Sequence, residues 1–132
     1  MTKLTSLLHK DTSYSSVSWH SSKAMPGVRF AIKRISLRQR IELNRRVKEL
    51  TIKYEFLRAG DAADQLEAAL SDLLVTKLYL EWGLDEIEGL SIEGRKATPD
   101  LLIDHGPESL SDEIARFIQA ESALTDGERK NY

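Results

Sequence analysis

Few residues of this sequence have the types and the spacing that chemistry requires. His9, His20 and His105 are not paired at i,i+3 or i,i+4, and the chain has no cysteine, so the sequence has neither the ligand spacing of a metal site nor a cysteine nucleophile. An acidic cluster within residues 85–88 could hold a cation or act as an acid–base pair, but an exposed charged loop is the simpler interpretation. Glycine-rich phosphate loops and the GxSxG and HExxH motifs are absent from the sequence. We therefore expect a protein without catalytic activity, metal or cofactor.

A basic stretch at residues 29–50, with eight Lys/Arg and two Glu, is the other candidate for function. It could bind nucleic acid, dock an acidic protein or form the solvated flank of a helix. Residues 54–132 carry eighteen Asp/Glu against seven Lys/Arg, which would repel phosphate, and no aromatic residues interleave with the arginines to stack on bases. We therefore expect the stretch to contact its own acidic half, a second copy or an acidic partner, and not nucleic acid.

The predicted interface combines arginines with aromatic residues. Arginine can donate two parallel hydrogen bonds to a carboxylate, and tryptophan and tyrosine are enriched among the residues that dominate binding energy. Trp82, beside Gly83, also fits the simpler role of pinning a loop onto the core. The residues predicted for the interface are Arg38, Arg45, Arg46, Tyr79 and Trp82.

Two long helices are predicted to carry these residues. The first, over residues 37–58, has apolar residues at steps of three and four, begins with the capping-box pair Ser36 and Gln39, and ends at Gly60 in the left-handed conformation. The second, over residues 62–82, repeats leucine at the same spacing. The short link between them predicts an antiparallel pair that supplies most of the core. The side chains predicted to be deeply buried are Leu43, Val47, Leu50, Leu66, Leu70 and Leu73.

The remaining predicted elements are short. Residues 28–35 alternate apolar with mostly basic side chains, which predicts a strand, and this strand is expected to pair with residues 15–20 as a hairpin. The irregular segment after the second helix contains a short hairpin that turns at Glu93 and Gly94. Two further helices are predicted, one opened by Thr98, Pro99 and Asp100 and one over residues 108–123.

The whole sequence predicts a mainly α fold with a small β-hairpin near the N-terminus, in which an antiparallel helix pair is joined by additional short helices. The Ser/Thr-rich residues 1–27 are predicted to form a flexible arm, poorly ordered at 1–13, and residues 28–132 a single mostly helical domain. No apolar run approaches the roughly 20 residues that span a bilayer, and the N-terminal apolar run is too short for a signal peptide. We therefore expect a cytoplasmic protein that does not enter a membrane.

Four segments resemble small proteins encoded among bacteriophage and prophage tail genes, many of which are tail assembly chaperones. They are RISLRQRIEL, LYLEWGLDEIEGLSIEGRKATPDLL, GPESLSDEI and ERKN, and the resemblance covers about residues 28–131. It implies a helical, noncatalytic protein of the host bacterial cytoplasm that keeps the tape-measure protein soluble and recruits tail-tube subunits. The family has no catalytic set to carry over, so no residue gains a role from the resemblance beyond a place in an interface.

Two other classes of function fit the same residues. One is a structural component of the virion, such as a tail or connector protein, with the N-terminal arm as its assembly element. The other is a small inhibitor or regulator encoded by a mobile element, which acts by binding protein or, through the basic helix, nucleic acid. Strongly salt-dependent binding would favour the regulator, and an arm that becomes ordered only on assembly would favour the virion component. Self-association is compatible with each class.

Overall fold

A computed structural model describes residues 12–122, which are mainly helical with a smaller β component, as the sequence predicts. The predicted disorder of residues 1–13 falls almost entirely outside this part of the chain. No helix among the described residues is long and apolar enough to cross a membrane. In chain order the elements are β1 (Val17–Ser21), β2 (Arg29–Lys33), α1 (Leu37–Glu55), a 3-10 turn (Phe56–Ala59), α2 (Ala62–Gly83), β3 (Leu84–Glu88), β4 (Ser91–Ile92), β5 (Arg95–Lys96), α3 (Pro99–His105) and α4 (Glu108–Ser122).

The main sheet has three antiparallel strands, with β2 in the centre. The predicted hairpin forms two of them, and its register pairs Trp19 with Ala31. The sheet therefore extends across the predicted boundary between the arm and the domain at residue 27. The third strand, β3, pairs with the other side of β2 and sets Ile87 opposite Phe30. The sequence did not predict this strand, so the fold is corrected from a hairpin to a three-stranded sheet.

A β-bulge explains why the third strand was missed. Ala31 pairs with Glu86 while the next residue, Ile32, pairs with Leu84, so Asp85 is an extra residue on β3. The bulge lets Leu84 be buried although it is an odd number of residues from the buried Ile87, which breaks the alternation by which a strand is recognised. The acidic cluster consequently lies on a strand and not in a loop.

The helix starts follow the capping residues that the sequence predicts. The Ser36 hydroxyl accepts from the Gln39 N–H at 3.2 Å, and the Gln39 side chain accepts from the Ser36 N–H at 3.1 Å. Thr98 caps α3 in the same way by accepting from the N–H of Leu101. Gly60, however, has a φ of −84° and is not left-handed, because α1 ends in a 3-10 turn that changes the exit of the chain.

The core lies between the sheet, α4 and the C-terminal part of α2. Its fully buried side chains include Phe30, Ile87 and Ile114, which no water reaches. A Cβ atom added at Gly83 would lie 2.5 Å from the Cγ2 atom of Ile118, so the absence of a side chain lets α2 and α4 approach closely. We call the sheet, the β4–β5 hairpin, α3, α4 and residues 75–83 of α2 the body of the protein.

A carboxylate clip ties the loop after β1 to α4. The Ser22 hydroxyl donates to the Glu113 carboxylate at 2.5 Å, and the Lys23 N–H donates to its other oxygen at 2.7 Å. Partial burial alone would raise the pKa of Glu113, but these two hydrogen bonds and a third from the Ala24 N–H outweigh it. The pKa of Glu113 is therefore held below its ordinary value, and the ionised clip fastens the sheet to the helix that covers it.

Candidate protein-binding surface

Helices α1 and α2 form an antiparallel hairpin that extends away from the body. The guanidinium of Arg46 lies over the ring of Trp82, and the Arg58 side chain forms an ion pair with Asp72 at 3.4 Å. Residues later in α1 and in the 3-10 turn that follows it therefore contact residues earlier in α2, as expected of an antiparallel pair. The body contacts the end of the hairpin near Trp82, while the other end, near Gly60, lies beyond it.

Helix α2 presents an exposed row of leucines beyond the body. Leu66, Leu70 and Leu73 follow one another at steps of four and three, so they share one side of the helix, and Leu74 adjoins them. Leu66 is 64% exposed and Leu73 is 51% exposed. We call these four residues the leucine face. The residues of α2 that are buried in this region, Ala68 and Ser71, lie on a different side of the helix.

The predicted burial of the helix pair is therefore only partly correct. Leu43 is buried as expected, and Val47 and Leu50 are half-buried. The prediction is wrong for the leucines of α2, because none of the described elements covers that side of the hairpin. The residues wrongly predicted to be deeply buried are Leu66, Leu70 and Leu73.

Helix α1 also has an outer side that combines apolar and basic side chains. Leu37, Ile41 and Ile52 are exposed there, and Phe56, which directly follows α1, is 72% exposed. Between these apolar side chains the helix presents mainly basic ones, with Glu55 on the same side at its C-terminal end. We call the whole surface the basic face, and its members are Leu37, Arg38, Ile41, Arg45, Lys48, Ile52 and Phe56.

The structure separates the five residues that the sequence assigned to an interface. Arg38 and Arg45 are exposed on the basic face, where Arg45 forms an ion pair with Glu42 at 3.5 Å. Arg46 lies 5.8 Å from the ring centroid of the half-buried Trp82, and this contact joins the two helices. Trp82 therefore contributes to packing within the hairpin, and its predicted role as an interface anchor stays a prediction.

Tyr79 lies in the core and does not reach the surface. Only 6% of the residue is exposed. Burial raises the pKa of its hydroxyl, and a hydrogen bond with Ser122 opposes that rise in part. Its ring is thus unavailable as an interface anchor unless the core opens. The surface instead contains exposed apolar residues such as Leu66, which was predicted to lie in the core, and Phe56, for which no position was predicted.

The two helices of the hairpin carry opposite charge. Helix α1 has six Lys/Arg and three Glu, whereas α2 has four Asp/Glu and one Lys. Beside the leucine face, a shallow groove runs between α2 and the α3–α4 region, with an apolar floor and two carboxylates, Glu108 and Asp112, along its side. Its apolar members are Leu73, Leu80, Leu102 and Ile103, and Lys77 also lines it.

The two described histidines, His20 and His105, contact neighbouring side chains of the fold. The ring of His20 packs 4.6 Å from that of Phe117, and its Nε2 atom is 3.0 Å from the Ser18 hydroxyl. The exposed His105 is 3.6 Å from the Glu93 carboxylate. Within residues 12–122, no three His, Asp or Glu side chains are grouped so that they could hold a metal ion. The described part of the chain thus offers apolar and charged contact surfaces.

Comparison of the chain with protein-family models, curated proteins and solved structures finds no match.

Proposed function

We propose that this chain is a non-enzymatic assembly protein that binds other proteins through its helical hairpin. The observation that carries the proposal is the row of exposed leucines on α2, beyond the region that the body covers. Single exposed apolar side chains are common in folded proteins, but adjoining ones mark surfaces that bind a partner. The same residues would otherwise expose apolar area to water at a cost of about 25 cal/mol per Å².

The spacing of the leucine face suits a helical partner. Leu66, Leu70 and Leu73 follow one another at steps of four and three, which is the apolar spacing of helices that pack side by side. The groove beside Leu73 widens this surface towards Leu102. A partner segment with its own apolar stripe would lie along α2 and cover both.

The partners are those implied by the resemblance to phage tail assembly chaperones. In this proposal, the hairpin covers apolar segments of the tape-measure protein until tail-tube subunits are recruited to it. The protein acts in the cytoplasm of the host bacterium and needs no cofactor, nucleic acid or membrane. Its work is transient binding, so it is dispensable from the finished particle.

The experiment is co-expression with the tape-measure protein of the phage or prophage that encodes this chain. The wild-type protein should keep the tape-measure protein in the soluble fraction. Replacement of Leu66→Glu together with Leu70→Glu should abolish this effect, because two charges are introduced into the contact. The matched control is Gln119→Glu with Ala120→Glu, which adds two carboxylates at exposed positions of α4.

Two results would contradict the proposal. One is equal solubilisation by the leucine variant, provided that circular dichroism finds the variant folded. The other is a stoichiometric amount of the protein in purified particles, which would support a structural component of the virion.

A further inference from the structure

We infer that, when no client is bound, the leucine face of one copy is covered by the basic face of a second copy in a head-to-tail contact. This inference rests on the proposed function only in that the leucine face is taken to be a protein-binding surface. The molecule that covers the leucine face is identified from the surfaces of the chain itself. The basic face supplies apolar side chains that can pack on the leucines, and positive charges that complement the carboxylates beside them.

The two faces point in different directions. An α-helix turns by about 100° per residue, so Leu66, Leu70 and Leu73 lie roughly 150° around α2 from the Trp82 side, which faces α1. On α1, Ile41 and Ile52 lie roughly 130° from the side that carries Arg46, by the same geometry. A single two-fold contact between hairpins therefore cannot bury both faces. A heterologous contact, with the leucine face of one copy against the basic face of the next, can.

The charges select the same pairing. Glu67 and Glu81 border the leucine face, and Asp112 lies along its groove, whereas Lys77 is the one base among the exposed charges of α2. Two leucine faces in contact would set carboxylates against carboxylates. Two basic faces would bring Arg38 and its neighbours together. Only the mixed contact places opposite charges against each other, and like charges that face each other across an interface weaken binding.

The shapes of the two faces also fit. Phe56 is the most prominent apolar side chain at the distal end of the basic face, where it is 72% exposed. The leucine face is bordered by the groove that Leu73, Leu80 and Leu102 line. A projecting aromatic ring and an apolar recess are the elements from which the centre of an interface is built.

The test uses the purified full-length chain in sedimentation velocity runs over a series of concentrations. One variant reverses charge on the basic face, by Arg38→Glu and Lys48→Glu. The other reverses charge beside the leucine face, by Glu67→Lys and Glu81→Lys. The wild type should associate as concentration rises, and each variant alone should associate roughly tenfold more weakly or worse, because like charges then face each other.

An equimolar mixture of the two variants should recover association, since the acidified basic face of one variant then meets the leucine face of the other variant, which is now bordered by lysines. The matched control, Arg95→Glu with Lys96→Glu on the β4–β5 hairpin, should associate like the wild type. Gln substitutions at Arg38 and Lys48 remove charge without reversing it, so they should weaken association less than the Glu substitutions do. They provide the test if a charge-reversal variant does not fold.

Three results would overturn the inference: a wild-type protein that stays monomeric throughout the series, undiminished association of either folded reversal variant, or no recovery in the mixture. These outcomes are distinguishable from failure of the proposed function. A monomeric wild type that still solubilises the tape-measure protein refutes the second-copy contact alone. A self-associating protein that never binds that client refutes the chaperone role alone.

Discussion

Leucines in the body and leucines in the hairpin meet opposite environments. Leu110, on α4, is fully buried under the sheet, whereas Leu66, on α2, is 64% exposed. Both belong to apolar repeats with helical spacing. Such a repeat therefore identifies the residues that share one side of a helix, and the rest of the fold decides whether anything covers that side.

The largest effect is expected from a leucine of the body. Leu110→Ala should lower the free energy of unfolding by about 2–5 kcal/mol, because it removes buried methyl groups and leaves a cavity. Urea denaturation followed by circular dichroism measures the change. A loss below about 1 kcal/mol would mean that α4 repacks easily and that the body is looser than its buried side chains indicate.

A smaller, pH-dependent effect is expected from the clip between the sheet and α4. Glu113→Gln should cost about 1–3 kcal/mol at neutral pH, since hydrogen bonds to a carboxylate are replaced by weaker ones. The folded-state pKa of Glu113 lies below its ordinary value of 4.5. Its stabilising contribution is therefore complete above that value and is lost as the pH falls through the lowered folded-state pKa.

Thermal melting from pH 7 down to pH 2 measures this dependence. The difference in Tm between the wild type and Glu113→Gln should shrink on acidification. The neighbouring Asp112→Asn variant removes the same charge from α4 without touching the clip. A Tm difference for Glu113→Gln that stays constant across this range would show that the carboxylate charge plays no part in fastening the sheet.

The smallest effect is expected from the matched leucine of the hairpin. Leu66→Ala should change the free energy of unfolding by no more than about 0.5 kcal/mol, because the side chain is exposed and alanine is the better helix former. The measurement is the same urea titration, at a concentration where the protein is monomeric. A loss as large as that for Leu110→Ala would place Leu66 in a core and remove the contrast between the two regions.

Local signals allowed much of the fold to be predicted from the sequence. The capping residues Ser36 and Thr98 fix helix starts by hydrogen bonds to backbone groups only a few residues away, so their effect is visible in a short window. The turn at Glu93 and Gly94 is equally local, since both residues have positive φ. Strand β3 was not predictable in this way because its bulge disrupts the alternation of buried side chains.

The candidate surface was harder to predict, because it depends on where the body ends. The sequence placed arginines such as Arg38 and Arg45 on the surface correctly, since their charge favours water. It assigned Leu70 to the core because no local feature distinguishes an uncovered leucine from a covered one. Coverage of α2 depends on α3 and α4, which follow it in the chain, and this long-range packing leaves no mark in the spacing of the leucines.

The connection between β2 and β3 has a consequence for how the molecule can vary. These strands are neighbours in the sheet, yet the whole hairpin lies between them in the chain. The hairpin is thus an insertion that leaves the sheet after β2 and returns to it at the neighbouring strand β3. One turn added to or removed from both helices near Gly60 would leave the sheet in register and shift the tip by about 5 Å. The distance that the hairpin reaches is therefore adjustable independently of the body that anchors it.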